Sequence, residues 1–224
     1  MYMDLTEKLP ICVGFIMDGN RRWATEQGLP TLDGHLAGKD TFFSTIRTVA
    51  ELKIPHAVFY AFSTENWQRS ETEVTYLLNL FAEALKSIET VQVRIIGRRS
   101  DFSLELQTAM TELEEKSNQY TQTTIWIALS YGGRAEILSA VNQAVLLGNS
   151  VSEETFNQLL YTAEMPDPDL IIRTGGEFRL SNFLPWQSVY SELFFTDTYW
   201  PAFTKAEFTR ILAQYGDRQR RRGK

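Results

Sequence analysis

The chain carries a single cysteine in 224 residues. Cys12 has no partner for an internal disulfide, and its place in an apolar run reads as a small buried residue, the usage expected of a reducing cytoplasm. Long apolar runs are missing as well: no stretch approaches the ~18 residues of a membrane-spanning helix. Residues 1–10 lack the basic segment followed by an apolar one that marks a secretory leader. The expected location is cytoplasmic, with no transmembrane segment. Positive charge is not in surplus either. Lys and Arg number 22 against 28 Asp and Glu, a formal net charge of −6, which argues against a general nucleic-acid or anionic-membrane surface. The basic residues must therefore be read by position. No repeat, low-complexity tract or linker divides the chain, and a hydrophobic content of 43% suffices for one sizeable core. Residues 1–224 are expected to form a single domain.

What is present is an alternation. Short strand-like runs fall at residues 11–17, 57–62, 91–96, 124–129, 170–172 and 193–195, with helical patterns in most intervals. This predicts an α/β domain around a largely parallel central sheet of about six strands flanked by helices. The clearest helix follows Ser70: Ser70 with Glu73 reads as a capping box, and Val74, Leu77, Leu78, Phe81, Leu85 and Ile88 keep one apolar stripe. A second box, Thr204 with Glu207, opens the last helix, whose apolar face is Phe208, Ile211 and Leu212. Residues 148–169 are the least patterned, with one short amphipathic segment and two prolines, and read as a connection over the surface.

The most informative stretch is Gly14-Phe15-Ile16-Met17-Asp18-Gly19-Asn20-Arg21-Arg22-Trp23, a buried strand running straight into an acid, a glycine and two arginines. A helix starting near Asn20 would offer free N–H groups and the positive end of its dipole to phosphate oxygens, and Arg21 and Arg22 add full charges. Asp18 beside an anion site repels the ligand unless a divalent cation sits between them, so Mg²⁺ is implied. The alternative is an ordinary strand-to-helix turn with a capping Asp and surface arginines. Asp18, Ser63 and Arg173 each fall at or just past a strand end, where parallel sheets bind ligands. Residues 34–39 imitate a nucleotide P-loop, but three residues separate the glycines instead of four and no Ser or Thr follows Lys39. No nucleotide site is expected.

That stretch is similar to the signature of the cis-prenyltransferases, the undecaprenyl diphosphate synthase family, and four further blocks repeat the match in the family's order. They are Gly34-His35-Leu36-Ala37-Gly38; Phe62-Ser63-Thr64-Glu65-Asn66-Trp67-Gln68-Arg69; Tyr131-Gly132-Gly133-Arg134; and Ile172-Arg173-Thr174-Gly175-Gly176-Glu177, running on to Glu192-Leu193. The Asp-Asp-x-x-Asp metal motif of the trans-prenyltransferases is missing. The resemblance implies that Asp18 holds Mg²⁺ against a diphosphate, with Glu192 a second carboxylate near the metal. By the same resemblance Gly19, Asn20, Arg21, Arg22 and His35 cradle the diphosphate of the allylic starter, with Trp23 beside them. Arg173, Arg179 and Ser181 take that of isopentenyl diphosphate, and Ser63, Thr64, Glu65, Asn66, Trp67 and Arg69 form a loop that touches substrate. Phe62 and Trp67 are expected in the cleft wall. The proton acceptor is left among Asp18, Asn20, Ser63 and the departing diphosphate.

A hydrophobic tunnel is implied between the Ser70-capped helix, the helix after His35 and the sheet, walled by Leu77, Leu78, Phe81, Leu85, Ile125, Ile127 and Leu129. The resemblance further implies a homodimer, with Arg221-Arg222-Gly223 of the basic tail reaching the partner's site, and a polyprenyl diphosphate product, a cell-wall lipid carrier, that partitions into membrane. The implied starter is farnesyl diphosphate and the product of undecaprenyl length or somewhat shorter. Rival readings are a non-catalytic subunit of the same fold and an enzyme of irregular short-chain coupling. Three departures bear on starter and length: Thr31 where the family often has arginine, Phe178 where a polar residue is common, and a shortened segment before Val91.

Overall fold

The computed structural model describes residues 9–148 and 150–218. Six strands form one sheet in the order β3-β4-β2-β1-β5-β6: β1 Cys12–Ile16, β2 His56–Ser63, β3 Gln92–Ile96, β4 Thr124–Tyr131, β5 Leu170–Arg173 and β6 Glu192–Phe195. Every pairing is parallel. The continuous apolar character of β1, β4 and β5 follows from burial on both faces. On one face Val13, Phe15, Phe59, Ile125, Ile127 and Ile172 join the main core. It is closed by α2 Thr31–Glu51, α3 Glu71–Ser87, α4 Leu104–Ser117 and α7 Lys205–Asp217. On the other face Cys12, Val58, Trp126, Ile171 and Phe183 form a second cluster. Gly14 leaves room there for the Phe183 ring, which a Cβ would meet at 3.1 Å.

The chain winds from β1 to β2 on one side and returns to β5 on the other, so the strand order reverses about β1. A crevice at such a reversal is where open parallel sheets bind ligands. The short helix α1, Asn20–Glu26, starts there directly after Gly19. The β2–β4 pairing is irregular at the same end. Ala61 is extra on β2 and Ser130 extra on β4, between the pairs Tyr60↔Ala128, Phe62↔Leu129 and Ser63↔Tyr131. The bulges turn both Tyr60 and Ala61 toward the cavities described below. Ser130 takes a positive φ of 46° while fully buried, held by Trp67 Nε1 donating to its Oγ at 2.9 Å and by its own bond to Asp101.

Both predicted capping boxes are one-armed. Ser70 and Thr204 accept from the backbone N–H of Glu73 and Glu207. The glutamate side chains, however, are drawn elsewhere by stronger partners: Glu73 to His35 and Arg69, Glu207 to the hydroxyls of Thr196 and Thr198. A reciprocal box forms instead at Ser63 and Asn66, opening the 3₁₀ turn Thr64–Gln68. Residues 148–169 are more than a surface connection. They carry α6, Glu153–Asn157, and bury Phe156 and Leu160 against Ala140 of α5, Gly133–Leu147. No helix among the described residues is long and apolar enough to cross a membrane.

Candidate active site

Asp18 lies just past the end of β1, and its backbone N–H and C=O are tied to the Thr174 hydroxyl. Its carboxylate meets two guanidinium groups: Arg173 Nη2 at 2.7 Å from Oδ2 and Arg22 Nη2 at 3.2 Å from Oδ1. Arg173, the last residue of β5, is only 4% exposed, and its other nitrogen Nη1 donates to Arg179 O and Ser181 Oγ at 2.6 and 2.7 Å. The strand end thus anchors the 179–181 loop beside the acid. Arg22 also donates to Gly175 O at 2.7 Å. Gly175 has φ +87°, and a Cβ there would lie 2.8 Å from Arg22 Nη2, so the close approach requires glycine. Arg179 pairs with Glu177 at the rim.

A second cluster gathers on Glu73 of α3. Glu73 Oε1 lies 3.1 Å from His35 Nε2 and 2.9 Å from Arg69 Nη1, and Oε2 lies 3.9 Å from Arg21 Nη1. Burial drives the His35 pKa below its ordinary value, only partly offset by Glu73. Burial likewise lowers Arg69, against the pull of Glu73. Asn20 opens α1 with its Oδ1 buried and, among the described residues, without a hydrogen-bond partner, beside Gly38, where a Cβ would come within 2.6 Å of that oxygen. Burial acts to raise the Glu65 carboxyl, but hydrogen bonds from Asn182 and the Ser63–Thr64 turn outweigh it and leave the net below the ordinary value.

Two adjoining cavities connect these clusters. The outer, of about 570 Å³, is lined by Asp18, Ser63, Glu65, Asn66, Arg69, Arg173, Arg179, Ser181 and Asn182. The inner, of about 140 Å³, is walled by Leu77, Phe81, Leu85, Ile127 and Leu129, with Asn20 and His35 also lining it. Met17, Tyr60, Asn66 and Arg69 line both. Burial pushes the Tyr60 phenol up in pKa, and its hydroxyl donates to Tyr131 O and Ser181 O at 3.2 and 3.4 Å.

Of the residues expected here, the sheet ends bring Asp18, Ser63, Glu65, Asn66, Arg69, Arg173, Arg179 and Ser181 together. Gly19, Arg21, Arg22, Trp23 and Thr64 line neither cavity. Phe62 and Trp67 are not cleft wall. Phe62 is fully buried and stacks edge-on with Trp67, whose indole is spent on Ser130. Leu78 and Ile125 pack in the core outside the inner cavity, while Leu80, Ala84 and Ile88 line it.

The largest correction concerns Glu192. It starts β6 opposite Leu170, itself opposite Val13, so it lies at the amino edge of the sheet, two strands over from β1 and, along the strand axis, five residues or roughly 16 Å at ~3.3 Å per residue below Asp18. It pairs there with Arg218 at 2.5 Å. A metal shared by both carboxylates is not formed within one chain. Thr31 stands exposed at the start of α2, and Phe178, 76% exposed, packs at a tilt against Phe195. Residues 219–224, with the Arg221-Arg222-Gly223 segment, lie outside the described residues. Sequence reading missed Glu73, taken for a cap, and Tyr60 and Asn182. The one signal for Asn182 is its place directly after Ser181, and both have positive φ.

A parallel sheet with an arginine-clamped acid at its carboxyl edge and an apolar cavity behind it defines an α/β fold whose crevice joins a charged mouth to an apolar interior. Comparison with known proteins makes that class specific. The family described as "Putative undecaprenyl diphosphate synthase" matches residues 16–223. The chain is 45% identical to an isoprenyl transferase of Thermotoga maritima, over 96% of this chain and 97% of that one. It is 41% identical to the tritrans,polycis-undecaprenyl-diphosphate synthase (geranylgeranyl-diphosphate specific) of Thermococcus kodakarensis, over 96% and 88%. The crystal structure of lavandulyl diphosphate synthase from Lavandula x intermedia in complex with dimethylallyl diphosphate superposes with a TM-score of 0.92 at 33% identity, covering 96% of this chain and 99% of that one. The chain belongs to the undecaprenyl diphosphate synthase family of cis-prenyltransferases.

Proposed function

We propose that this protein condenses isopentenyl diphosphate with an allylic diphosphate, farnesyl diphosphate being the starter, to extend a polyprenyl diphosphate in cis configuration. The observation that carries the reading is the junction of the two cavities: an outer one lined by three arginines and an inner one of apolar side chains, sharing Met17, Tyr60, Asn66 and Arg69. A molecule with a diphosphate head and a hydrocarbon tail fits across that junction. Each diphosphate carries two to three negative charges, and arginines offset the repulsion between two of them in one cleft.

Mg²⁺ fits the donor set. Among the described residues no cluster of three metal-binding side chains exists, and Mg²⁺ characteristically takes one or two carboxylates plus substrate phosphates and water. Asp18, with its side chain 30% exposed beside the outer cavity, is the residue that would hold it. Held there, Mg²⁺ would supply positive charge to offset that developing on the leaving diphosphate. Arg22 and the Asn20 helix start hold the starter head, while Arg173, Arg179 and Ser181 hold isopentenyl diphosphate. The carbon–oxygen bond of the starter breaks as the isopentenyl double bond supplies the electron pair for the new carbon–carbon bond, and one proton then leaves the isopentenyl unit. Asp18 would be taken up as the metal ligand, so the proton passes to the departing diphosphate, with Asn20 and Ser63 at hand to relay it.

The similarity to lavandulyl diphosphate synthase supports a second reading, irregular coupling of two short units. One assay separates them. The purified full chain with farnesyl diphosphate, isopentenyl diphosphate and Mg²⁺ should give products spaced by five carbons up to undecaprenyl length or somewhat shorter, abolished by chelation. A single branched short product would select the coupling reading, and no product would select the non-catalytic subunit. The protein acts in the cytoplasm as a homodimer and hands its product to membrane. The exposed Leu138, Val141, Val145 and Leu146 of α5 support the dimer.

A further inference from the structure

The inner cavity, at about 140 Å³, is the size of one known to admit a single benzene, ~150 Å³. A growing polyprenyl tail outgrows that space, so part of the wall must give as the tail lengthens. Most of the wall has nowhere to go. Ile127, Leu129 and Leu85 are 3%, 1% and 3% exposed and belong to the main core, where displacement creates strain on every side. Lys39 differs. It lies on α2 one turn beyond His35, lines the same cavity with its hydrocarbon stem, and carries its ammonium outward to 3.9 Å from Glu83 Oε2 on α3. The Lys39 side chain is 23% exposed and that of Glu83 73%. An ion pair so exposed is weak, whereas each isoprenoid unit drawn out of water is strongly favoured. The seam is therefore the first part of the wall to give.

We propose that Lys39 is a specificity-determining residue: its side chain is a latch across the seam between α2 and α3, displaced outward by the lengthening tail, and it sets the length at which the chain stops being held. The inference rests on the prenyl-condensing reading above and names the residue that limits its product.

The test is the product-mass distribution of the full-length protein, its Lys39→Ala, Lys39→Leu and Glu83→Gln variants, with farnesyl diphosphate, isopentenyl diphosphate and Mg²⁺. Lys39→Ala removes the latch and should move the modal product longer by at least one five-carbon unit. Lys39→Leu has no charged head to draw it outward, packs into the cavity, and should move the mode shorter by at least one. Glu83→Gln, on the surface, should move it in the direction of Lys39→Ala by less. If the alanine variant does not fold, the other two decide. Wild-type-length products from all variants, or shifts of the same sign for alanine and leucine, overturn the latch and leave the condensing reading standing. A wild-type protein that makes no prenyl product overturns that reading and the latch with it.

Discussion

Arg173 is nearly buried, and Asp18 is the carboxylate that balances it. Removing the acid therefore does two things. Asp18→Ala should lower turnover by orders of magnitude, since the carboxylate that would hold Mg²⁺ is gone. It should also destabilise the fold by about 1–3 kcal/mol, since a buried guanidinium loses a charged partner but keeps Arg179 O and Ser181 Oγ. Steady-state kinetics and urea melts check the two effects separately; a folded variant with near-normal activity in Mg²⁺ sinks the assignment of Asp18. The Arg179 side chain is 58% exposed and pairs with Glu177. Its replacement by alanine should raise the KM for isopentenyl diphosphate roughly tenfold or more, the equivalent of about 1.5–3 kcal/mol for a charge-assisted contact. Arg173→Ala should cost more, because it also releases the 179–181 loop. A rise confined to the farnesyl substrate would show the two diphosphate sites to be exchanged.

At the scale of the element, α3 decides most. Its outer turn carries Glu73 to His35, Arg69 and Arg21, and its inner face carries Leu77, Phe81 and Leu85 to the cavity. His35 titrates below its ordinary 6.5 because it is buried. The unfolded chain thus binds the extra proton first: this contribution to stability is fully present above about pH 6.5 and is lost as the pH falls below it. His56, also lowered by burial, adds to the same slope. Denaturant melts between pH 5 and 7 should show His35→Gln less pH-dependent than the wild type; equal slopes would remove His35 from the account. Phe81→Ala or Leu85→Ala deepens the cavity at its apolar wall. Each should lengthen the products, because every unit seated gains about 4 kcal/mol at ~0.8 kcal/mol per carbon and only the wall opposes it. Unchanged product mass across a set of such variants would refute the tunnel.

At the scale of the whole molecule, the surface of α5 bears on assembly. Leu138, Val141 and Val145 of α5 stand 63%, 41% and 72% exposed, an apolar stripe that a lone chain leaves in water. A homodimer burying this face should sediment at twice the chain mass, and Val145→Asp should shift it toward monomer. A monomeric wild-type protein would leave the stripe without its proposed partner. Glu192 belongs to this scale too. It sits at the far edge of the sheet, where Arg218 pairs with it and lies 3.9 Å above the Phe194 ring.

The strand runs, the α/β alternation and the acid at the first strand end were legible in the sequence because each is a local signal: period, run length and the breaker Asp18-Gly19. Where such signals place residues at strand ends, parallel winding alone collects them, which is why Asp18, Ser63 and Arg173 meet as expected. Partners were not legible. Glu73 has the spacing of a capping residue, and only the packing of α3 on α2 turns its carboxylate to His35. Glu192 belongs to a motif yet lies at the amino edge, because register, a long-range property, decides which end of a strand a residue occupies. The Ala61 and Ser130 bulges and the contact of Lys39 with Glu83 arise in the same way, from the fit of elements far apart in the chain, which no local pattern encodes.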